Sequence, residues 1–236
     1  MWDFEQGEVL AFDKPLRWTS FDLVAKVRYN LCRKLGKKKL KVGHSGTLDP
    51  LATGVVIICT GKKTKLIESL QYDVKEYVAT MQLGATTPSY DMEKDVDATY
   101  PTEHITRALV DETIPQFLGE QWQVPPMFSA VQINGKRAYE LARKGQEVEL
   151  KPKLLKIDEI EVLSFDEKAM LLTIRVVCSK GTYIRALARD IGERLHSGAY
   201  LTALRRTRVG NTRVEDCLTI ERFLEQLNEI EYVQNE

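Results

Sequence analysis

The chain has 236 residues, 43% of them hydrophobic, with 34 basic and 34 acidic side chains and so a formal net charge of zero. That length suits one sizeable core or two closely joined halves, and no window reaches the roughly 18 apolar residues of a membrane span. The acidic N-terminus MWDFEQGEVL does not fit a secretory signal. Cys32, Cys59, Cys178 and Cys217 are scattered without metal-ligand spacing, which reads as free thiols in a reducing cytoplasm.

In chain order, GEVLAFDKP predicts a short strand ending at Pro15. Thr19 or Ser20 then caps a helix with Phe21, Val24, Val27 and Leu31 at helical spacing. The helix runs into KVRYNLCRKLGKKKLK, residues 26 to 41, which holds eight Lys/Arg and no acid. GHSGTLDPLATG, residues 43 to 54, is rich in turn residues and precedes a buried strand, Val55 to Cys59. EYVATMQLG and LLTIRVVCS alternate and are rich in β-branched residues, so both read as strands. Between them, residues 119 to 152 carry prolines, aromatics and bases and are expected to form an inserted, partly mobile lobe. YIRALARDIGERL predicts a helix with Ile184, Leu187, Ala188, Ile191 and Leu195 on one face. Thr219 is placed to cap a last helix, about 219–231, burying Phe223, Leu224, Leu227 and Ile230. Strands and helices are mixed without strict alternation, which argues for an α+β fold with a largely antiparallel central sheet flanked by helices. One domain spanning 1–236 is expected.

The neutral total hides a polarity. Residues 214 to 236 hold seven acids against Arg222 alone, or −6, which leaves +6 on residues 1 to 213. A second basic stretch, Arg175 to Arg213, adds nine Lys/Arg against Asp190 and Glu193. Either run alone suits a solvated surface, but two in one neutral protein lean toward a polyanion such as nucleic acid.

Asp49 is the one acid of the 43–54 loop. The segment GVVIICTGKKT lacks the first glycine of a phosphate loop, because Val56 stands there. GHSG closes one residue early for a nucleophile elbow. No second acid lies near in sequence for a two-carboxylate glycosidase. Three histidines in all, with no cysteine partner for His44, argue against a metal site. Asp before Pro also suits a tight turn bonded to its own backbone. A lone carboxylate serves as nucleophile or base where a cation elsewhere in the fold keeps it ionised.

GHSGTLDPLATGVV resembles the signature of the TruB-type tRNA pseudouridine-55 synthases. LAFDKPLRWTS, GKKTKL, KEYVATMQLG, VPPMFSAVQINGKRAYELAR, CSKGTYIRALARDIGE and LTALRRTRVG match in the same order, from about Gly7 to about Leu224. The resemblance implies a pseudouridine synthase fold and isomerisation of a uridine in the T-arm of tRNA, with no cofactor and no metal. It makes Asp49 the essential carboxylate and Arg185 of KGTYIR the cation that keeps it charged. Tyr77 of KEY is a catalytic residue that stacks on the flipped base and helps remove its C5 proton, and His44 helps hold the nucleotide out of its loop. Tyr183 and Leu204 line the pocket beneath the base, and Lys14, Lys65 and the two basic runs are phosphate-contact candidates.

Two departures stand out. The family's TDTxDxxG segment reads TPSYDMEKD, keeping Asp91 but replacing the first acid by Pro88 and the glycine by Lys94, which puts its contacts in question. Only about 25 residues follow RRTRVG, too few for a C-terminal PUA domain, so the short form is expected. A monomer in the cytoplasm is the expected state. The rival expectation is a non-catalytic RNA-binding or tRNA-folding module on the same fold.

Overall fold

The computed structural model describes residues 2–4, 6–129, 131–133, 135–142, 144–146 and 149–229. Its elements run β1 (Val9–Lys14), α1 (Ser20–Lys34), β2 (Val42–Ser45), β3 (Ala52–Thr60), α2 (Ile67–Leu70), β4 (Lys75–Leu83), β5 (Ala85–Thr86) and β6 (Ala98–Thr99). They continue through α3 (Arg107–Thr113), β7 (Gly119–Gln123), β8 (Gln132–Ile133), β9 (Lys136–Arg137), α4 (Ala138–Ala142) and β10 (Lys153–Asp166). The last are β11 (Leu171–Cys178), α5 (Ile184–Arg194), β12 (Ala199–Val209), β13 (Thr212–Arg213) and α6 (Ile220–Glu229). This is the mixed α+β composition expected, and the strand pairs with a described register are antiparallel.

The chain forms two compact units, 1–75 with 205–236, and 76–204. In the first, β3 pairs with β1 from Val9↔Cys59 to Lys14↔Gly54 and with β2 from Val42↔Thr60 to Ser45↔Ile57. Val55, Ile57, Cys59, Val209 and Val214 form one buried cluster. The other side of the unit is aromatic. Phe12 meets Phe223 of α6 edge-on at 5.3 Å, and Trp2 lies 5.3 Å from Phe4 and 6.0 Å from Phe223. Helix α6 thus anchors the acidic C-terminal segment through its apolar stripe, with Ile220, Phe223 and Leu227 buried and Leu224 half-buried. Ile230, expected on that stripe, lies outside the described residues.

Helix α1 begins with a capping box: the Asp22 N–H donates to Thr19 Oγ1 at 2.9 Å, and the Thr19 N–H donates back to the Asp22 carboxylate at 2.8 Å. Its buried stripe is Ser20, Leu23, Val24, Val27 and Leu31. Phe21, expected on that stripe, is 65% exposed instead. At 3.6 residues per turn it lies about 100° round from Ser20, off the buried face, where Arg28 stacks over its ring at 5.9 Å.

In the second unit the strand order is β4-β11-β10-β7. β10 pairs along β11 from Ile157↔Cys178 to Asp166↔Leu171, with two register shifts. The interruption expected from residue 119 begins later. Residues 119–123 are the strand β7, paired with β10 from Ile157↔Gly119 to Lys153↔Gln123. The prolines that suggested a break come only after Gln123. Beyond them lie the short β8–β9 hairpin and α4. Helix α5 buries the apolar face that its spacing predicts: Ile184, Leu187, Ala188, Ile191 and, just past its end, Leu195. All four cysteines are free thiols. Among the described residues no helix is long and apolar enough to cross a membrane.

Candidate active site

The loop bearing Asp49 belongs to the first unit and leaves β2 at Ser45 to enter β3 at Ala52. Its glycines serve tight geometry: Gly46 has φ 77°, and a Cβ on Gly54 (φ 111°) would lie 2.1 Å from the carbonyl oxygen of Arg206, a contact no side chain tolerates. Bonds from distant segments pin the loop. Ser20 Oγ accepts from the Leu48 N–H at 2.9 Å and donates to the Leu48 carbonyl at 3.2 Å. The Arg17 N–H donates to the Pro50 carbonyl at 2.7 Å. Leu48 itself is buried, so the half-buried Asp49 follows an apolar anchor.

Two buried cations, Lys14 and Arg206, accompany this loop in the same unit. Lys14 is wholly buried at the end of β1, its Nζ donating to the carbonyls of Pro15 at 3.0 Å and Trp18 at 2.6 Å. Burial pushes its ammonium down to about 8, opposed by the attraction of Asp49 and assisted by the repulsion of Arg206. Lys14 was expected among the phosphate contacts. A side chain with no solvent exposure and main-chain acceptors does not present a charge to RNA, so its place is inside, beside the loop. Lys65, by contrast, is exposed on the turn after β3. His44 is half-buried on β2, with Nδ1 buried and without a hydrogen-bond partner. Burial first, and then the charge of Arg206, hold its imidazole below the usual histidine value, so at neutral pH it is uncharged.

The second unit positions the remaining candidates. Tyr77 is an inward residue of β4, 8% exposed on a strand whose positions alternate strictly. Tyr183 precedes α5 and is half-buried, its main chain gripped twice by the Gln123 side chain. Gln123 Oε1 accepts from the Tyr183 N–H at 2.9 Å, and Nε2 donates to the Tyr183 carbonyl at 3.2 Å. Leu204 is half-buried on β12.

Arg185, in the first turn of α5, is 5% exposed. Its Nη1 donates to the Ser89 carbonyl at 3.2 Å, its Nη2 to the Phe128 carbonyl at 2.9 Å, and its Nε lies 3.7 Å from Asp91 Oδ2. Asp91 is itself buried and held by Ser89 Oγ at 2.6 Å and the Glu93 N–H at 2.9 Å. Tyr90 beside it takes a left-handed φ of 56°, a sparsely populated conformation for a bulky residue, which turns Asp91 inward. The divergent TPSYDMEKD segment therefore keeps a definite job, since its surviving acid engages Arg185.

Within the first unit, Asp49 acts on Lys14, and the charge of Arg206 acts on both Lys14 and His44; within the second, the structure gives Arg185 and Tyr183 fixed positions near Asp91 and Gln123. Sequence reasoning missed Ser20, Gln123 and Arg206 as supporting residues. Nothing local marks Ser20 or Gln123, whereas Arg206 stood in the matched block LTALRRTRVG. Among the described residues no group of three or more His, Cys, Asp or Glu side chains is placed to hold a metal ion.

Comparison with known proteins bears on this arrangement. Residues 33–184 match the model of the TruB family pseudouridylate synthase N-terminal domain, and residues 185–235 match that of the tRNA pseudouridylate synthase B C-terminal domain. A tRNA pseudouridine synthase B of Phocaeicola vulgatus is 67% identical over 236 residues, covering 99% of this chain and 100% of the relative. One of Flavobacterium johnsoniae is 50% identical, covering 95% and 98%. Among solved structures, a chain of a Cbf5-Nop10-Gar1 complex superposes with a TM-score of 0.70 at 28% identity over 97% of this chain. A chain of an H/ACA RNP bound to a substrate RNA containing 2'-deoxyuridine superposes with a TM-score of 0.68 at 27% identity. This chain spans 58% and 57% of those two.

Proposed function

The chain belongs to the TruB family of pseudouridylate synthases, and from that membership we propose that it isomerises uridine 55 in the T-arm of tRNA to pseudouridine. The reaction breaks the N1–C1′ bond, turns the uracil and forms a C5–C1′ bond. The proton lost from C5 is balanced by one gained at N1. Because the base is both leaving group and nucleophile, the reading needs no cofactor and no metal.

Asp49 either attacks C1′ or removes the C2′ proton, and both steps need it ionised. The observation that carries the reading is its loop: a half-buried carboxylate behind a pinned apolar anchor, in a unit that also buries the cations Lys14 and Arg206. On the family's pattern Arg185 is the cation that keeps Asp49 charged during turnover, and its burial beside Asp91 supports a fixed guanidinium. Tyr77 supplies the ring for the flipped base, a contact that offsets the few kcal/mol of unstacking. Tyr183 and Leu204 supply the pocket walls. His44 meets the nucleotide through the exposed part of its half-buried ring, and Lys65 meets phosphate. The proposal includes a monomer working in the cytoplasm.

Tritium release from [5-³H]uridine tRNA tests this directly. The wild-type protein releases tritium, while Asp49→Asn folds, binds tRNA and loses turnover by at least about 10³-fold, since an amide neither attacks nor takes a proton. A variant retaining a tenth of wild-type turnover sinks the role of Asp49. A wild-type protein that binds tRNA without releasing tritium is an RNA-binding module instead.

A further inference from the structure

Consecutive arginines on β12 face opposite ways. Arg205 turns to β1, donating to both oxygens of Asp13 at 3.2 and 2.7 Å and to Thr53 Oγ1 at 3.0 Å. Arg206 turns the other way and is 1% exposed, one of the largest wholly buried side chains. Its Nε donates to the Val55 carbonyl at 2.7 Å, Nη2 to the Gly46 carbonyl at 3.2 Å and Nη1 to the Thr47 carbonyl at 3.4 Å. Those acceptors lie on both sides of Asp49. A buried guanidinium without compensation is strongly destabilising, and here these main-chain dipoles supply the compensation. The main chain of Arg206 also lies against Gly54, where even one added carbon would meet its carbonyl at 2.1 Å. The loop and the arginine therefore fit one another tightly on both the side-chain and the main-chain side.

We propose that Arg206 is a positioning residue for the isomerisation: its guanidinium fork bonds the carbonyls of Gly46, Thr47 and Val55 and thereby sets where the Asp49 carboxylate stands. The inference rests on the reading of Asp49 as the reacting group. Arg206 acts through the loop and, being buried, does not touch the RNA. A displacement of about 1 Å at a reacting carboxylate costs on the order of 10²-fold in rate, so the effect falls on the chemical step and not on binding. The buried charge acts on His44 as well, helping to keep it neutral.

The test uses full-length Arg206→Lys and Arg206→Met with tRNA in single-turnover tritium release, alongside tRNA binding, melting temperature and an NMR titration of His44. Phe223→Leu serves as the control, because it loosens the aromatic packing on α6 without touching the loop. The expected result is a rate at saturating enzyme lowered about tenfold in Arg206→Lys and about a hundredfold in Arg206→Met, with tRNA affinity within about threefold. Phe223→Leu loses melting temperature but keeps its rate. The His44 midpoint rises in Arg206→Met and stays put in Phe223→Leu. If Arg206→Met does not fold, Arg206→Lys and Ser20→Ala, which removes the bonds to Leu48, carry the same test. Equal rates at saturation in the Arg206 variants and wild type, or losses matched by Phe223→Leu at equal melting temperature, overturn the proposal. So does a loss of tRNA affinity with the saturated rate intact. An Asp49→Asn protein that still turns over removes the underlying reading, whereas a dead Asp49→Asn with an unimpaired Arg206→Met refutes this inference alone.

Discussion

The loops at 43–54 and 87–93 are built by opposite means. In the first, the bonds from Ser20 and Arg17 reach main-chain groups of the loop, and those from Arg206 reach its Gly46 and Thr47 carbonyls and that of Val55 just after it. In the second, a carboxylate is the hub: Asp91 collects Ser89, Glu93 and Arg185. A loop held by its main chain demands glycines and prolines in register, and its sequence is conspicuous. A loop held by one side chain needs only that residue in place. TPSYDMEKD therefore keeps the contact between Asp91 and Arg185 although Pro88 and Lys94 depart from the pattern.

The sharpest way to break this contrast is Asp91→Ala, which removes the hub and leaves Arg185 buried beside its carbonyl acceptors. Stability falls by about 3 kcal/mol, as for a buried pair deprived of one partner, and turnover falls at least about tenfold. Urea unfolding and tritium release measure both, and a variant with wild-type values in each would make Asp91 dispensable. In the same unit, Gln123→Leu removes both bonds to the half-buried Tyr183 main chain, whose carbonyl keeps the bond from the Leu187 N–H at 3.0 Å. The expected cost is about 1–3 kcal/mol, read by urea unfolding.

Lys14 sharpens the comparison from the first loop's side, because its charge state follows pH. The folded lysine sheds its proton at about 8, while the unfolded one keeps it to 10.5. Between those values the unfolded state binds more protons, so this group makes stability rise with pH, by at most about 1.4 kcal/mol per unit. Comparing urea unfolding of wild type and Lys14→Met from pH 7.5 to 10 isolates that slope. A slope unchanged by the substitution contradicts the burial of Lys14.

The smallest effect belongs to exposed Lys65. Lys65→Gln leaves turnover at saturation alone and lowers the log–log salt slope of tRNA binding by about 0.7 to 0.9, the share of one phosphate contact. An unchanged slope removes Lys65 from the interface.

The sequence by itself determined the elements and the identity of the loop. Thr19 with Asp22 marks the start of α1, the spacing from Ile184 to Leu195 marks the buried face of α5, and the glycines with Pro50 mark the bend around Asp49. These are local signals, carried by caps, periods of 3.6 and 2, and left-handed turns. Only the tertiary structure decided what holds the site. Ser20 is 28 residues from Leu48, and Arg206 is 160 from Gly46. Along β12 the inward positions shift from Ala199 and Leu201 to Arg206, so simple alternation would have sent Arg205 inside and Arg206 out. Lys14 looks like any surface lysine until β1 closes against β3 and leaves it no water. Long-range packing sets the burial of a charge, and burial decides whether a lysine or arginine meets a phosphate or braces a loop.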